Sequence, residues 1–299
     1  EVIKDGINRY PDCVAFTIKN KEGKDIQYTD ITYAEFEKEI NSLGTGLLKL
    51  GLKDKKIAII GPNSYEWVLS YISVLFGIGI VVPLDKGLPA QEIEDSIIRS
   101  DADALIFDPK YIDIIEDIKQ RSTTKVKEFI CMKEVESKEI NNIPKIKKIG
   151  KEKLDKGNKE FFELKIEPEK TSIILFTSGT TSLSKAVMLS QKNIASNVHS
   201  MNAAEKLYNT DVNLVMLPFH HTFGSTGIIL MLNNGVRNVF CDGLRHIQEN
   251  MKEYKVSVFV CVPLILEAMH KRILLEVKKQ GKEKTINRAK KLRCTKKII

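Results

Sequence analysis

Short apolar runs rich in β-branched residues alternate along this chain with stretches in which apolar residues recur every three or four positions. That alternation is what a parallel sheet with crossover helices requires. Ile57-Ala58-Ile59-Ile60 reads as a buried strand, Gly61-Pro62-Asn63 as a turn, and Ser64 as the cap of a helix running to about Phe76. A strand follows around Val81, then a helix with Pro89 in its first turn and Glu92, Ile93 and Ile97 in helical register. Ala104 to Phe107 is a further strand. The pattern resumes with Ser172–Phe176 as strand, about Gln191 to Leu207 as helix, and Val212–Met216, Val236–Phe240 and Val256–Val262 as strands separated by helices.

Between the two series lies a stretch, 133–170, rich in Lys and Glu and poor in large apolar residues. It reads as a solvated connector between coarse halves 1–132 and 171–299, with Phe161, Phe162 and Leu164 packing its end onto something. Trp67 to Leu84 carries no formal charge and approaches the length of a membrane span. Gly77, Gly79 and Pro83 interrupt it and Ile80-Val81-Val82 is β-branched, so helix, turn and buried strand are expected instead, with Trp67 in the core.

Composition adds little to this α/β picture: 299 residues, 42% hydrophobic and 29% charged, suit a globular chain with a sizeable core and exclude disordered and collagen-like classes. Charge changes it more. The net +8 would direct attention to nucleic acid or anionic membrane, yet Lys278 to Ile299 holds ten basic residues against Glu283 alone, leaving the rest at −1. No nucleic-acid partner is expected. Five scattered cysteines, Cys13, Cys131, Cys241, Cys261 and Cys294, include no CxxC pair, which argues against a disulfide framework or zinc site and for a reducing cytoplasm. The chain starts at Glu1 with no basic-then-apolar leader, and the expectation is a fragment without a secretion signal.

The segment richest in chemistry is Ile174-Leu175-Phe176-Thr177-Ser178-Gly179-Thr180-Thr181-Ser182-Leu183-Ser184-Lys185. A buried strand runs into a loop of small hydroxyl residues, one glycine and one lysine. Such a loop can fold its N–H groups into a nest for phosphate oxygens, with hydroxyls as further donors and Lys185 as a point charge. The alternative is an ordinary Ser/Thr-rich surface turn. It is not a Walker loop, since the second glycine and the Lys-Ser/Thr ending are missing.

This segment resembles the phosphate-loop signature of the adenylate-forming superfamily, Thr-Ser-Gly-Thr-Thr-Gly-x-Pro-Lys-Gly, and departs from it at Ser182, Ser184 and Ala186, where Gly, Pro and Gly are usual. That superfamily includes acyl-CoA synthetases, luciferases and peptide-synthetase adenylation domains. Leu217-Pro218-Phe219-His220-His221-Thr222-Phe223-Gly224 resembles its histidine-aromatic segment. Ile31-Thr32-Tyr33-Ala34-Glu35-Phe36, Gly79 to Asp85 and Val262-Pro263-Leu264 resemble other family segments, and in order and spacing the likeness runs from about Ile3 to Leu292. The fold implied is α/β, two similar stacked halves with mainly parallel sheets and helices between them, incomplete at its C-terminus.

By that resemblance, Thr177, Ser178, Gly179, Thr180, Thr181, Ser182 and Lys185 would bind ATP phosphates, with Thr181 the residue to reach Mg2+. His221 would act between carboxylate and phosphates, and His220, Phe223 and Gly224 would line the substrate pocket. A neutral imidazole donates to a carboxylate and a protonated one stabilises phosphoryl charge. The implied reaction joins a carboxylate to the α-phosphate of ATP, releases pyrophosphate, and then passes the acyl group to a thiol, usually CoA, releasing AMP. Absent before Ile299 are the family's Tyr-Gly-x-Thr-Glu segment, ribose-binding aspartate, hinge and lysine-bearing small domain, so the chain is expected to be an incomplete N-terminal domain, inactive alone.

No Asp or Glu occurs between Asp211 and Asp242, which favours an uncharged acyl tail over an amino acid. Lys278-Lys279-Gln280-Gly281-Lys282-Glu283-Lys284 also resembles an insertion of long-chain fatty-acid–CoA ligases. Weak membrane-surface association through Lys278 to Lys297 is one expectation from this run, and a solvated helix face the other. The leading reading is a fatty acyl-CoA synthetase; the alternatives are an aryl-CoA or acyl-carrier-protein ligase and a non-catalytic nucleotide- or acyl-binding module.

Overall fold

The structure, a computed structural model, describes residues 1–23, 25–137, 139–177 and 184–284. In chain order its elements are α1 (Val2–Arg9), β1 (Val14–Glu22), β2 (Asp25–Thr32), α2 (Tyr33–Lys49), β3 (Lys55–Ile60), α3 (Tyr65–Ser73), β4 (Gly79–Pro83), α4 (Ala90–Ser100), β5 (Ala104–Phe107), α5 (Ile112–Arg121) and β6 (Glu128–Cys131). There follow β7 (Asn141–Asn142), α6 (Ile143–Asp155), β8 (Thr171–Thr177), β9 (Lys185–Ser190), α7 (Gln191–Ala204), β10 (Val212–Val215), α8 (Thr222–Asn233), β11 (Arg237–Phe240), α9 (Ile247–Glu253) and α10 (Pro263–Lys279). The chain divides after Phe259, and α10 belongs to the second unit.

The expected α/β architecture forms, with its strands in two mainly parallel sheets. Seven strands run in the order β7-β6-β5-β3-β4-β8-β9, and four in the order β10-β11-β1-β2. In the larger sheet Ile57 pairs with Val81 and with Ala104, both in parallel, and Val81 pairs with Ile173. Ala58, Ile60, Leu105 and Phe107, all fully buried, point from this sheet to one face, where Ile93 and Ile97 of α4 and Ile115 and Ile118 of α5 cover them. Alternation sends Ile57 and Ile59 to the opposite face, so strands buried on both sides read as continuous apolar runs.

Local signals behave as expected at several starts. Ser64 Oγ accepts from the Trp67 amide and opens α3, and Trp67 is 1% exposed. The helix expected to reach Phe76 stops at Ser73, after which a π turn, Val74–Ile78, leads into β4. Pro89 stands just ahead of α4 as its cap. In Ile31–Phe36, Thr32 and Glu35 form a reciprocal capping box at α2, and the buried Tyr33 donates its hydroxyl to Val236 O at 2.9 Å. Among the described residues no helix is long and apolar enough to cross a membrane.

Three expectations need correction. Stretch 133–170 is not a plain solvated connector, because it contains α6, whose Ile143, Ile146 and Gly150 are buried. A Cβ on Gly150 would lie 1.8 Å from Ser42 O, and one on Gly46 would lie 2.4 Å from Ile146 O, so α2 and α6 meet backbone to backbone. Of the residues expected to end that stretch, Phe161 is buried against Gly44 while Phe162 is 52% exposed. Second, Val256–Val262 forms no strand. Val258 makes a single bridge to Asn213, and Ser257 Oγ takes the Val212 amide at 2.9 Å, which a ladder neighbour would otherwise use. Third, the sheets do not follow coarse halves: β1 pairs with β11, and β4 with β8.

Candidate active site

The carboxyl ends of β4 and β8 open onto a cleft of about 640 Å³ whose walls include Asp85, Arg99, Thr177, Ser184, His220 and His221. Parallel sheets leave such a crevice because the loops diverge beyond the strand ends and backbone dipoles and N–H groups face it. Leu84 continues β4 by donating its amide to Ile59 O at 2.8 Å, and delivers Asp85 to the rim. There Asp85 Oδ1 accepts from the Gly87 amide at 2.8 Å, which tightens the turn.

The other wall is the hairpin of β8 and β9. Thr177 is paired with Lys185 across the antiparallel ladder, so these residues are the two feet of the Ser/Thr-rich loop. Ser178, Gly179, Thr180, Thr181 and Ser182 lie outside the described residues. Lys185 is exposed at the start of β9 and does not form part of the cleft wall. Arg99, on the last turn of α4, donates Nη1 to Ser184 Oγ at 2.8 Å and Nη2 to Ser184 O. Its guanidinium carbon lies over the Phe176 ring, 5.2 Å from the centroid.

The histidine pair arrives from the smaller sheet, in the turn between β10 and α8. Asn63 Nδ2 donates to Leu217 O at 2.7 Å, and Phe219, 2% exposed, tilts against Trp67 with centroids 4.8 Å apart. These two anchors hold the turn. The His221 amide donates to Pro218 O, and His221 caps α8. Gly224 is buried, and a Cβ there would come within 2.3 Å of Pro218 O. Its role is this close approach of helix and turn.

With Phe219 turned inward, His220 is half-buried and His221 exposed, their ring centroids 4.2 Å apart. His220 Nε2 faces Asp85 Oδ1 at 3.5 Å. Burial pushes the His220 pKa down to about 4; the Asp85 charge opposes that shift, and His221 and Lys86 reinforce it. At neutral pH His220 is therefore an uncharged imidazole, and its contact with Asp85 is not an ion pair. Phe223 is 48% exposed, and neither it nor Gly224 lines this cleft.

Of the expected residues, then, the cleft brings together Thr177, His220 and His221. It also brings in Asp85, Glu92, Asp95, Arg99 and Ser184, none of which was expected as a site residue. Asp85 closes a segment already noted for its family likeness, so its signal was present. For Arg99 there was no signal at all, since a basic residue in a last helical turn is commonplace. No acid is near the histidines in sequence, but three approach the cleft in space, Asp85 and, on α4, Glu92 and Asp95. Among the described residues no three His, Cys, Asp or Glu side chains are grouped to hold a metal ion.

The chain matches the family described as AMP-binding enzyme over residues 3–295. It is 29% identical over 276 residues to long-chain-fatty-acid–CoA ligase 5 of Rattus norvegicus, an alignment covering 88% of this chain and 40% of that protein. Similarity to the chloroplastic long-chain-fatty-acid–[acyl-carrier-protein] ligase AEE15 of Arabidopsis thaliana is 25% identity over 264 residues, 83% of this chain and 36% of that one. Among solved structures, a long-chain-fatty-acid–CoA ligase from Archaeoglobus fulgidus superimposes with TM-score 0.75 at 22% identity, covering 89% of this chain and 52% of that chain. At that identity the likeness is one of fold. The chain spans about two fifths of the length of these curated relatives.

Proposed function

The chain belongs to the AMP-binding enzyme family, and on that premise we propose that the natural product carrying it is an acid–thiol ligase that activates a fatty acid with ATP. The observation that carries this reading is a convergence. Thr177, one foot of the Ser/Thr-rich loop, and Ser184, next to the other, share one cleft with the paired histidines at the carboxyl ends of parallel strands.

A carboxylate is a poor electrophile, so one of its oxygens attacks the α-phosphorus of ATP, forming an acyl–O–P bond as the bond to pyrophosphate breaks. A thiolate then attacks the acyl carbon, a thioester forms, and AMP leaves with the oxygen. The loop, with Thr177, Ser178, Gly179, Thr180, Thr181, Ser182 and Lys185, would donate to phosphate oxygens. His221, exposed at the head of α8, would donate to the carboxylate and then to the phosphoryl oxygens. His220, kept neutral by burial, would present an uncharged donor or acceptor beside it. Mg2+ accompanies the nucleotide as part of the substrate and screens its charge. Thr181 would be its contact in this chain.

A fatty acid is favoured as substrate by the rat relative's name and by the acid-free histidine segment. CoA is favoured as acceptor on the same ground, and the Arabidopsis relative supports a carrier protein as second acceptor. The test is pyrophosphate release from MgATP by the natural gene product, with fatty acids from hexanoate to stearate and with benzoate, followed by thioester formation with CoA and with acyl-carrier protein separately. Fatty-acid-dependent release is expected, reduced about a hundredfold by His221→Ala and at least about tenfold by Lys185→Ala. No acid-dependent release would refute an adenylating ligase and leave a binding module as the reading.

A further inference from the structure

We infer that Arg99 is a positioning residue for the phosphate loop, clasping from helix α4 the residues beside its feet, Phe176 and Ser184. The inference rests on reading the segment after β8 as that loop, and it concerns the described residues on either side of it.

Three contacts converge on one side chain. Nη1 donates to Ser184 Oγ and Nη2 to Ser184 O, so a single guanidinium edge grips both the side chain and the backbone of the residue where the chain re-enters β9. The guanidinium face meanwhile lies over Phe176, the last residue but one of β8, at 5.2 Å from the ring centroid. Edge and face are thus engaged with the two strands that flank the loop. A planar, five-donor group suits this double use, and an ammonium does not.

The base from which Arg99 reaches is firm. Ile93 and Ile97, buried at 0% and 1% exposure, fix α4 against the sheet, and Ser100 donates back to Ile97 O at 3.0 Å. Backbone pairing alone restrains the feet only on one side: Thr177 and Lys185 are partners, but both are exposed, and β9 is the edge strand of its sheet. Ser184 is also one of the three departures from the phosphate-loop signature, which carries Pro there. A proline ring fixes φ, whereas a serine leaves φ to be restrained from outside, and Arg99 supplies that restraint. The clasp sets the register at which Lys185 follows Ser184, and through it the position of the charge offered to a phosphate.

The experiment measures KM for MgATP, KM for the acid and kcat of pyrophosphate release in the natural gene product, with thermal melting of every variant. Arg99→Ala is expected to raise KM for MgATP about tenfold while KM for the acid stays within about twofold. Arg99→Lys keeps the charge but loses the two-pronged grip and the stacking, and is expected to behave like Arg99→Ala. Ser184→Ala and Phe176→Leu, each removing one contact, are expected to raise KM for MgATP about threefold. They decide the matter if Arg99→Ala does not fold.

Recovery of wild-type KM by Arg99→Lys would overturn the clasp in favour of simple attraction between a cation and the nucleotide. An unchanged KM for MgATP in Arg99→Ala, or in both single-contact variants, would also overturn it, provided Lys185→Ala raises that KM. Should Lys185→Ala too leave MgATP unaffected, or the product release no pyrophosphate, the phosphate-loop reading itself fails and the clasp with it.

Discussion

At the scale of single residues, the His220–Asp85 pair shows how a contact can mislead if read by distance alone. The atoms lie 3.5 Å apart, yet burial outweighs the carboxylate and holds His220 neutral, with its pKa near 4 against 6.5 for a free imidazole. The sign of the stability effect follows. Between pH 6.5 and 4 the unfolded chain binds a proton at this position that the folded chain does not, so stability falls as pH drops through that window. The loss is about 3 kcal/mol, and His220→Gln is expected to remove most of it from urea denaturation curves taken at pH 7 and pH 4. A variant with the wild-type pH dependence would show that His220 is protonated normally. Asp85→Asn is expected to deepen the loss of stability in acid, since removing the carboxylate lowers the His220 pKa further.

At the scale of elements, α6 shows what composition conceals. Lys145, Lys147, Lys148, Lys151 and Lys153 dominate its sequence, and an eye set on charge reads a solvated stretch. The start signal was nevertheless present: Asn142 Oδ1 accepts from the Lys145 amide at 2.9 Å, with Pro144 in the first turn. What could not be seen was the partner surface. Gly150 is buried against Ser42 O, whereas Gly157, just beyond the helix, has φ of +84° and nothing within 4 Å of a Cβ. Gly150→Ala must push α2 and α6 apart and is expected to cost about 3 kcal/mol or more in a denaturant melt. Gly157→Ala should cost only about 1 kcal/mol, from backbone conformation. Equal effects at the two sites would contradict the close helix crossing.

At the scale of the molecule, each sheet draws strands from both sides of stretch 133–170. In the smaller sheet β1 lies between β2 and β11, and in the larger one β8 adds to β4. Residues 1–132 alone would leave one side of β1 and one side of β4 without a neighbour, while 171–284 alone would leave β8 and β11 in the same state. Unpaired apolar strand edges aggregate or stay molten. Neither piece expressed separately is therefore expected to give a cooperative melt, and co-expression of 1–170 with 171–299 is expected to recover one. A cooperative transition in either short piece would mean that the halves are independent folding units.

The sequence by itself determined what is encoded over a few neighbouring residues. Ile57–Ile60 and Ala104–Phe107 are strands because consecutive β-branched and apolar residues suit a sheet covered on both faces, and Ser64 begins a helix because its hydroxyl reaches an amide three residues on. The loop and histidine segments were likewise legible, as residue types in a fixed local order. Tertiary structure alone decided which strands became neighbours, that the segment after α9 meets β10 only in a single bridge at Val258, and which groups from distant segments face one cleft. Asp85, Arg99 and His220 meet there from separate parts of the chain. A local pattern carries period and capping chemistry, but not the identity of a partner many residues away; that choice is made by the sum of long-range packing, and burial then resets the charge state of the groups it encloses.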